Sequence, residues 1–300
     1  MKLIVHLIPR QPGAEAVIAA SVAGCTRHAS GGFAMEIDQP ALRAVIASGE
    51  RLGGLGISAE WRLTEAELAS LSHFSVVCRL TVPESDAAYK RNYDMCQASP
   101  QIASGAGASI RLARGFCLSK ASLKPNSVAG IGEWTGAYLA GEDVLEAFRQ
   151  AGLTGLASEP VLQTSSRAPF PNVRQLVTEA ILPAAVPGAL PDFPPGYCGL
   201  LCYEPRQLID QPDFSHTAEP WASQRYGWPL WVVSARTRNL FLSQGMSGWA
   251  FRPVLATDSA LFERYLALSQ ELCALLRDAP QSGRHGRRTS PASAPCSTGS

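Results

Sequence analysis

Short apolar runs predict strands in the first part of the chain. Lys2–Pro9 and His73–Val82 are apolar and rich in β-branched residues, which is typical of buried strands. Between them, Asp38 can cap a helix over Pro40–Ser48, because proline is tolerated in a first helical turn. Residues 1–125 are therefore expected to form an N-terminal mixed α/β region.

Two further helices have clear signals. Thr64 and Glu67 have the spacing of a capping box, which predicts a short helix to about Leu71. Over Ala260–Arg277, apolar side chains recur at intervals of three and four residues, which predicts an amphipathic helix. Residues 279–300 lack such a period and are expected to be a disordered tail.

An internal repeat is the strongest pattern in the chain. Residues 138–162 align without a gap on residues 231–255. The identical positions are Phe148/Phe241, Gly152/Gly245, Gly155/Gly248, Ala157/Ala250, Pro160/Pro253, Val161/Val254 and Leu162/Leu255. Residues 126–278 are therefore expected to hold two copies of a strand–helix–strand unit, and the fold class is predicted to be α+β, with mixed sheets and short helices.

Backbone chemistry predicts where each unit begins and ends. Gly141 and Ser234 stand at the expected helix N-caps, and a glycine ends each helix because it reaches the left-handed conformation at low cost. Proline has no amide to donate to a sheet, so Pro160 and Pro253 should lie at strand ends or edges.

Composition limits the function classes. The chain has 26 basic and 25 acidic residues and a net charge of +1, so it has no global field that would attract nucleic acid or an anionic membrane. It has no apolar stretch of the ~20 residues that a membrane span needs. Eight cysteines are scattered along its length, which favours a reducing cytoplasm. A lipoprotein-like box ends at Cys25, but the charged and proline residues before it interrupt the apolar helix that export requires.

Catalytic and metal-binding patterns are weak, and we expect no catalytic residue, no metal ligand and no cofactor. Two alternatives stay open. One is a hydrolase that uses Cys25, His28 or His216, although these residues form no known signature. The other is a degenerate zinc- or nucleic-acid-binding module, with Cys198 and Cys202 separated by three residues where zinc knuckles have two.

Aromatic residues cluster in the second half of the chain. Such a density of tryptophan indicates either a packed core or the anchors of a protein interface. Trp221, flanked by Pro220 and polar residues, is the best candidate for exposure. The expected partner-binding residues are Trp134, Trp221, Trp228, Trp249 and Arg252.

Several of these segments together resemble a known family over about residues 60–280. They are Trp61-Arg-Leu-Thr-Glu-Ala-Glu-Leu, Gly132-Glu-Trp-Thr, Gly152-Leu-Thr-Gly155, Trp231-Val-Val-Ser and Gly248-Trp-Ala-Phe-Arg-Pro-Val-Leu255. The chain resembles immunity proteins of bacterial polymorphic and contact-dependent toxin systems, and it is most similar to the double-CXXCG group. The resemblance implies a cytoplasmic inhibitor that binds a cognate protein toxin and occludes its active site. The first Cys-x-x-Cys-Gly pair of that group is missing here, so no zinc ligand is carried over.

Overall fold

The structure is a computed structural model that describes residues 1–9, 26–27, 32–47, 55–97, 115–132, 134–186, 199–222 and 227–277. Its helices and mixed sheets confirm the predicted α+β class. The chain divides into two units. The large unit contains Met1 and Leu63–Ser269, and the small unit contains Lys2–Arg62 with the residues from Gln270 onward.

An antiparallel four-stranded sheet forms the small unit, in the order β2-β3-β1-β4. Its elements are β1 (Lys2–Pro9), β2 (Thr26–Arg27), β3 (Phe33–Glu36), α1 (Pro40–Ala47) and β4 (Leu55–Arg62). Alternate side chains of β1, namely Leu3, Val5 and Leu7, are almost completely buried, as a strand with one face on a core requires. The predictions for β1 and α1 are confirmed.

Two sheets form the large unit. The first sheet has the order β6-β8-β9-β11-β10-β7, and the second has the order β12-β15-β5-β14-β13. The strands are β5 (His73–Cys78), β6 (Thr81–Val82), β7 (Cys117–Leu118), β8 (Val128–Ile131), β9 (Trp134–Gly141), β10 (Ala157–Gln163), β11 (Pro169–Val177), β12 (Leu201–Tyr203), β13 (Phe214–Ala222), β14 (Gly227–Ser234) and β15 (Trp249–Ala256). The helices are α2 (Glu65–Ala69), α3 (Asp86–Gln97), α4 (Glu142–Gln150), α5 (Pro205–Leu208), α6 (Ala235–Ser243) and α7 (Ala260–Arg277). The last eight residues of α7, 270–277, belong to the small unit.

Helix ends follow the local chemistry of the sequence. The predicted capping box is present at α2, where Thr64 Oγ1 accepts from the amide of Glu67 and the Glu67 carboxylate accepts from the amide of Thr64. Ser234 caps α6 by accepting from the amide of Thr237. The helix α7 has the predicted bounds, whereas α2 ends at Ala69, two residues before the predicted end.

The division at residue 125 does not coincide with the units of the structure. Strand β5 comes from the predicted N-terminal region, yet it lies between β15 and β14 in the middle of the second sheet. Residues 63–125 therefore belong to the same unit as most of the predicted C-terminal region. The expected disordered tail, residues 279–300, lies outside the described residues.

Both repeated segments form a strand, a helix and a strand. Helices α4 and α6 begin and end at aligned positions, and the glycines that follow them, Gly152 and Gly245, have φ angles of 62° and 63°. Pro160 and Pro253 lie within β10 and β15 rather than at their ends. The short outer strands β7 and β12 begin to pair with β10 and β15 only after these prolines, at Leu162 and Val254. The outer side of each strand therefore needs no amide donor at the proline.

The described residues include no helix with the length and apolarity that crossing a bilayer would need.

Candidate functional site

Each repeated segment is preceded by a hairpin, and the two hairpins differ in length. The hairpin of β8 and β9 starts with Val128 opposite Ala140 and closes with Ile131 opposite Trp134. The hairpin of β13 and β14 starts in the same way, with Phe214 opposite Val233, but it continues until Ala222 lies opposite Gly227. The hairpin of β13 and β14 is therefore longer than the hairpin of β8 and β9.

The additional length extends past the neighbouring strand. Strand β14 pairs with β5 only over Val232–Ser234, so its earlier residues have β13 as their strand partner among the described residues. Residues 217–222 and 227–230 thus make a two-stranded extension, which we call the ribbon. An isolated two-stranded segment is only marginally stable, so the ribbon depends on packing where it joins the second sheet.

The anchor of the ribbon is well packed. Trp231 is 1 % exposed, its indole Nε1 donates to the carbonyl oxygen of Gly136 at 2.7 Å, and its ring meets the His216 ring edge-on at 4.8 Å. A bulge of β13 begins directly after this pair, and there the amide of Leu230 donates to Thr217 Oγ1 at 2.9 Å. The base of the ribbon is therefore fixed by buried aromatic packing and by a side-chain hydrogen bond that replaces a ladder bond.

Two matched pairs follow the bulge. Pro220 lies opposite Pro229, and Trp221 lies opposite Trp228. Neither proline has an amide hydrogen, so this level of the ribbon offers no backbone donor to β13, to β14 or to an incoming strand. The tryptophans are the next directly opposed pair, and opposed residues of antiparallel strands are the ones that interact across a hairpin.

The structure separates the expected partner-binding residues into three groups. Trp221 and Trp228 share one register position of the ribbon, whereas Trp134 is at the closed end of the shorter hairpin, opposite Ile131. The side chains of these three tryptophans lie outside the described residues. Arg252 is exposed on β15, opposite Ser75 of β5.

Trp249 is a core residue, and this corrects our expectation that it contacts a partner. Its side chain is 6 % exposed and stacks on Phe241, with ring centroids 5.4 Å apart, and on Phe148 at 6.2 Å. Phe148 and Phe241 are aligned positions of the repeat, so one indole joins both helices of the repeated units. An approaching protein finds almost no surface of Trp249 to contact.

The cysteines whose side chains the structure describes are the free thiols Cys78, Cys117, Cys202 and Cys273. Burial raises the pKa of the Cys202 thiol to about 12, and burial also raises the pKa of Cys78. Both thiols are therefore favoured in the protonated form, which is a poor nucleophile. No group of three or more His, Cys, Asp or Glu side chains able to hold a metal occurs among the described residues. Cys25, His28 and Cys198 lie outside them.

A buried polar cluster at the start of α6 has a structural explanation. Asp213, which is 9 % exposed, accepts from Ser234 Oγ at 2.6 Å and from the amide of Thr154 at 2.9 Å. Ser234 is the N-cap of α6, and Thr154 lies in the turn after α4. The carboxylate thus ties one helix start to the turn that follows the other helix, and all its contacts are within the protein framework.

Sequence reasoning identified the two ribbon tryptophans but missed the geometry that groups them. The signal was present, because Pro-Trp at 220–221 and Trp-Pro at 228–229 are mirror-image dipeptides that flank a short, mostly polar sequence. Such a pattern predicts a hairpin in which like residues face each other.

The chain matches no protein-family model, no curated protein and no solved structure.

Proposed function

We propose that this protein is an immunity protein, which binds the domain of a cognate bacterial toxin in the cytoplasm and neutralises it by occluding its active site. The observation that carries the proposal is the ribbon, with Trp221 and Trp228 in register beyond the edge of the second sheet. The family resemblance supplies the nature of the partner, and the ribbon supplies a place for contact.

The ribbon fits a binding role because the fold does not require it. The hairpin of β8 and β9 occupies the corresponding position of the first copy and closes at Ile131 and Trp134 without such an extension. A segment that one copy has and the other lacks adds surface and not core. Tryptophan is the residue most enriched among the dominant contacts of protein interfaces, since it buries a large area and has only two side-chain torsions to fix.

The proline pair favours binding through side chains. An exposed strand edge can capture an extended peptide by backbone hydrogen bonds, and a proline at the edge prevents this. Pro220 and Pro229 lie opposite each other directly before the tryptophan pair, so both edges of the ribbon lack a donor at this level. The toxin is therefore expected to bind a face of the ribbon and not to extend the sheet.

The experiment is a binding and rescue assay with the toxin domain encoded by the adjacent gene. Trp221→Ala and Trp228→Ala are each expected to weaken the complex by about 2 kcal/mol, which is about thirtyfold in Kd, and to reduce protection of cells that express the toxin. Leu242→Ala is the matched control, because Leu242 is a large exposed apolar residue on α6, away from the ribbon.

The result that contradicts the proposal is the absence of any complex with the neighbouring toxin together with the absence of rescue by the unmodified protein. If both tryptophan variants form the complex with unchanged affinity, the proposal of an immunity function would stand, but the ribbon would not be its contact surface.

A further inference from the structure

The two sheets of the large unit share one plan that is more extensive than the repeated segments. The order β7-β10-β11-β9-β8 in the first sheet corresponds to β12-β15-β5-β14-β13 in the second. The strand directions also agree. The outer pairs β7/β10 and β12/β15 are parallel, and the other neighbouring pairs within these two sets of five strands are antiparallel.

The correspondence holds residue by residue. Cys117 lies opposite Leu162 at the outer edge of the first sheet, and Cys202 lies opposite Leu255 in the second. Leu162 and Leu255 are aligned positions of the repeat, so the two buried cysteines are equivalent although no local sequence similarity joins them. In the hairpins, Gly130 opposite Tyr138 corresponds to His216 opposite Trp231.

The middle strands reveal an exchange between the two halves. In the first sheet the middle strand is β11, which follows the first repeated segment, whereas in the second sheet it is β5, which precedes it. Their registers agree at a constant difference of 100 residues. Val173 opposite Gly141 corresponds to His73 opposite Ser234, and Val177 opposite Ala157 corresponds to Val77 opposite Ala250.

Each middle strand then continues into the other sheet. After β5 the chain forms β6, where Thr81 lies opposite Gly130 of the first sheet, and after β11 it reaches Ile181, which bridges to His216 of the second sheet. Two equivalent hydrogen bonds accompany the crossing, from the amide of Gly130 to the Leu80 oxygen and from the amide of His216 to the Ala180 oxygen, both at 2.8 Å.

The close contact between the halves is also reciprocal. The amide of Val128 donates to the Ser247 oxygen at 2.9 Å, and the amide of Phe214 donates to the Thr154 oxygen at 3.1 Å. Ser247 and Thr154 are aligned positions, as are the glycines that follow them. Tyr138 and Trp231, which are also aligned with each other, meet with ring centroids 5.6 Å apart.

From this geometry we infer that residues 73–162 and 173–255 are two tandem copies of one module that have exchanged their first strands. Each copy supplies the middle strand of the other copy's sheet, so the large unit is an internal strand-exchanged dimer. The inference goes beyond the proposed function, because it concerns how the large unit holds together whatever the protein binds.

The exchange makes the two sheets one cooperative unit. If β5 leaves the second sheet, β6, which follows it directly, is also pulled from the first sheet. If β11 leaves the first sheet, the segment at Ile181 that follows it is pulled from the second sheet. Because neither copy has a complete sheet of its own, neither sheet can open while the other remains closed. The ribbon on the second copy is thereby coupled to the hairpin of the first.

Hydrogen exchange of the full chain, read by mass spectrometry, tests this coupling. Val76→Ala leaves a small cavity in β5 of the second sheet, where Val76 is 1 % exposed. Backbone amides of residues 128–131 in the first sheet and of residues 231–234 in the second should both exchange about tenfold faster, by the same factor. Leu242→Ala, an exposed site on α6, should change neither segment.

Acceleration confined to residues 231–234, with residues 128–131 exchanging at the unmodified rate, would overturn the inference. The unmodified protein provides a second measurement that does not depend on the variant folding. The two segments should have the same opening free energy and the same dependence on denaturant, and a lower opening free energy for one sheet than for the other contradicts the exchange.

Discussion

Gly248 lies at a close backbone contact between the two halves of the large unit. Its φ angle is +106°, and a Cβ placed on it would overlap the carbonyl group of Val128. Backbone atoms cannot rotate away as the end of a side chain can, so Gly248→Ala must either move the strand β8 or break its contact with the turn. The hydrogen bond from the amide of Val128 to the Ser247 oxygen is in the same contact.

The expected cost of Gly248→Ala has two parts. Holding a residue other than glycine at this φ costs about 1–3 kcal/mol, and overpacking against a rigid neighbour costs about 1–3 kcal/mol more. We expect a loss of about 3–5 kcal/mol in the free energy of unfolding of the large unit, measured by urea denaturation with tryptophan fluorescence as the signal. Residues 63–269 contain five of the six tryptophans, so this signal reports mainly on the large unit.

Two other glycines separate the conformational part from the packing part. Gly245 has a φ angle of +63° with no atom within 4 Å of an added Cβ, so Gly245→Ala should cost only about 1–2 kcal/mol. Gly155 has a φ angle of +82°, and an added Cβ would lie 2.5 Å from the Phe214 oxygen, so Gly155→Ala should cost about as much as Gly248→Ala. Equal losses for Gly245→Ala and Gly248→Ala would refute the close-approach explanation and leave only a general preference for glycine in turns.

Two further predictions concern buried side chains. Trp249 contacts four aromatic rings, and its indole Nε1 has no hydrogen-bond partner among the described residues. Trp249→Ala should therefore lower the free energy of unfolding by about 3–5 kcal/mol in urea denaturation. Trp249→Phe should lower it clearly less, because phenylalanine keeps a ring in place and removes the unpaired buried donor. Equal losses in the two variants would contradict this explanation. Burial lowers the pKa of His73, partly opposed by the charge of Asp213, so the imidazole is neutral in the fold. In the unfolded chain this imidazole takes up a proton below about pH 6.5, so the free energy of unfolding should fall as the pH decreases from there towards the lower folded pKa. His73→Val introduces the residue found at the equivalent position 173. This variant should reduce the fall in denaturation curves recorded from pH 7 to pH 5. An unchanged pH dependence in His73→Val would show that other groups cause it.

Local elements of this fold are predictable because their signals lie within a few residues. The capping box at Thr64 and Glu67, the apolar stripe of α7 and the run Lys2–Pro9 each determine an element without reference to the rest of the chain. The repeat was also visible, since its identities are concentrated in the turn and exit strand, where glycine and proline requirements tolerate little change.

Long-range pairing was not predictable from such signals. The strands β5 and β11 differ at most of their aligned positions, for example Phe74 and Arg174, so no sequence similarity indicated that they hold equivalent places in the two sheets. Trp249 shows the same limit on a single side chain. Phe241 and Phe251 lie close to it in sequence, but Tyr138 and Phe148, which complete its ring contacts, lie about 100 residues earlier in the chain.

The position of β5 in the second sheet has a consequence for the synthesis of the protein. Its partners β14 and β15 follow it by about 150 residues and more, so at about 5–20 residues per second the apolar strand leaves the ribosome roughly 8–30 s before the first of them exists. Pairing at such sequence separations is also intrinsically slow. The newborn chain therefore carries this apolar strand without its native partners while about 150 further residues are made, and the second sheet can close only after β15 has been made.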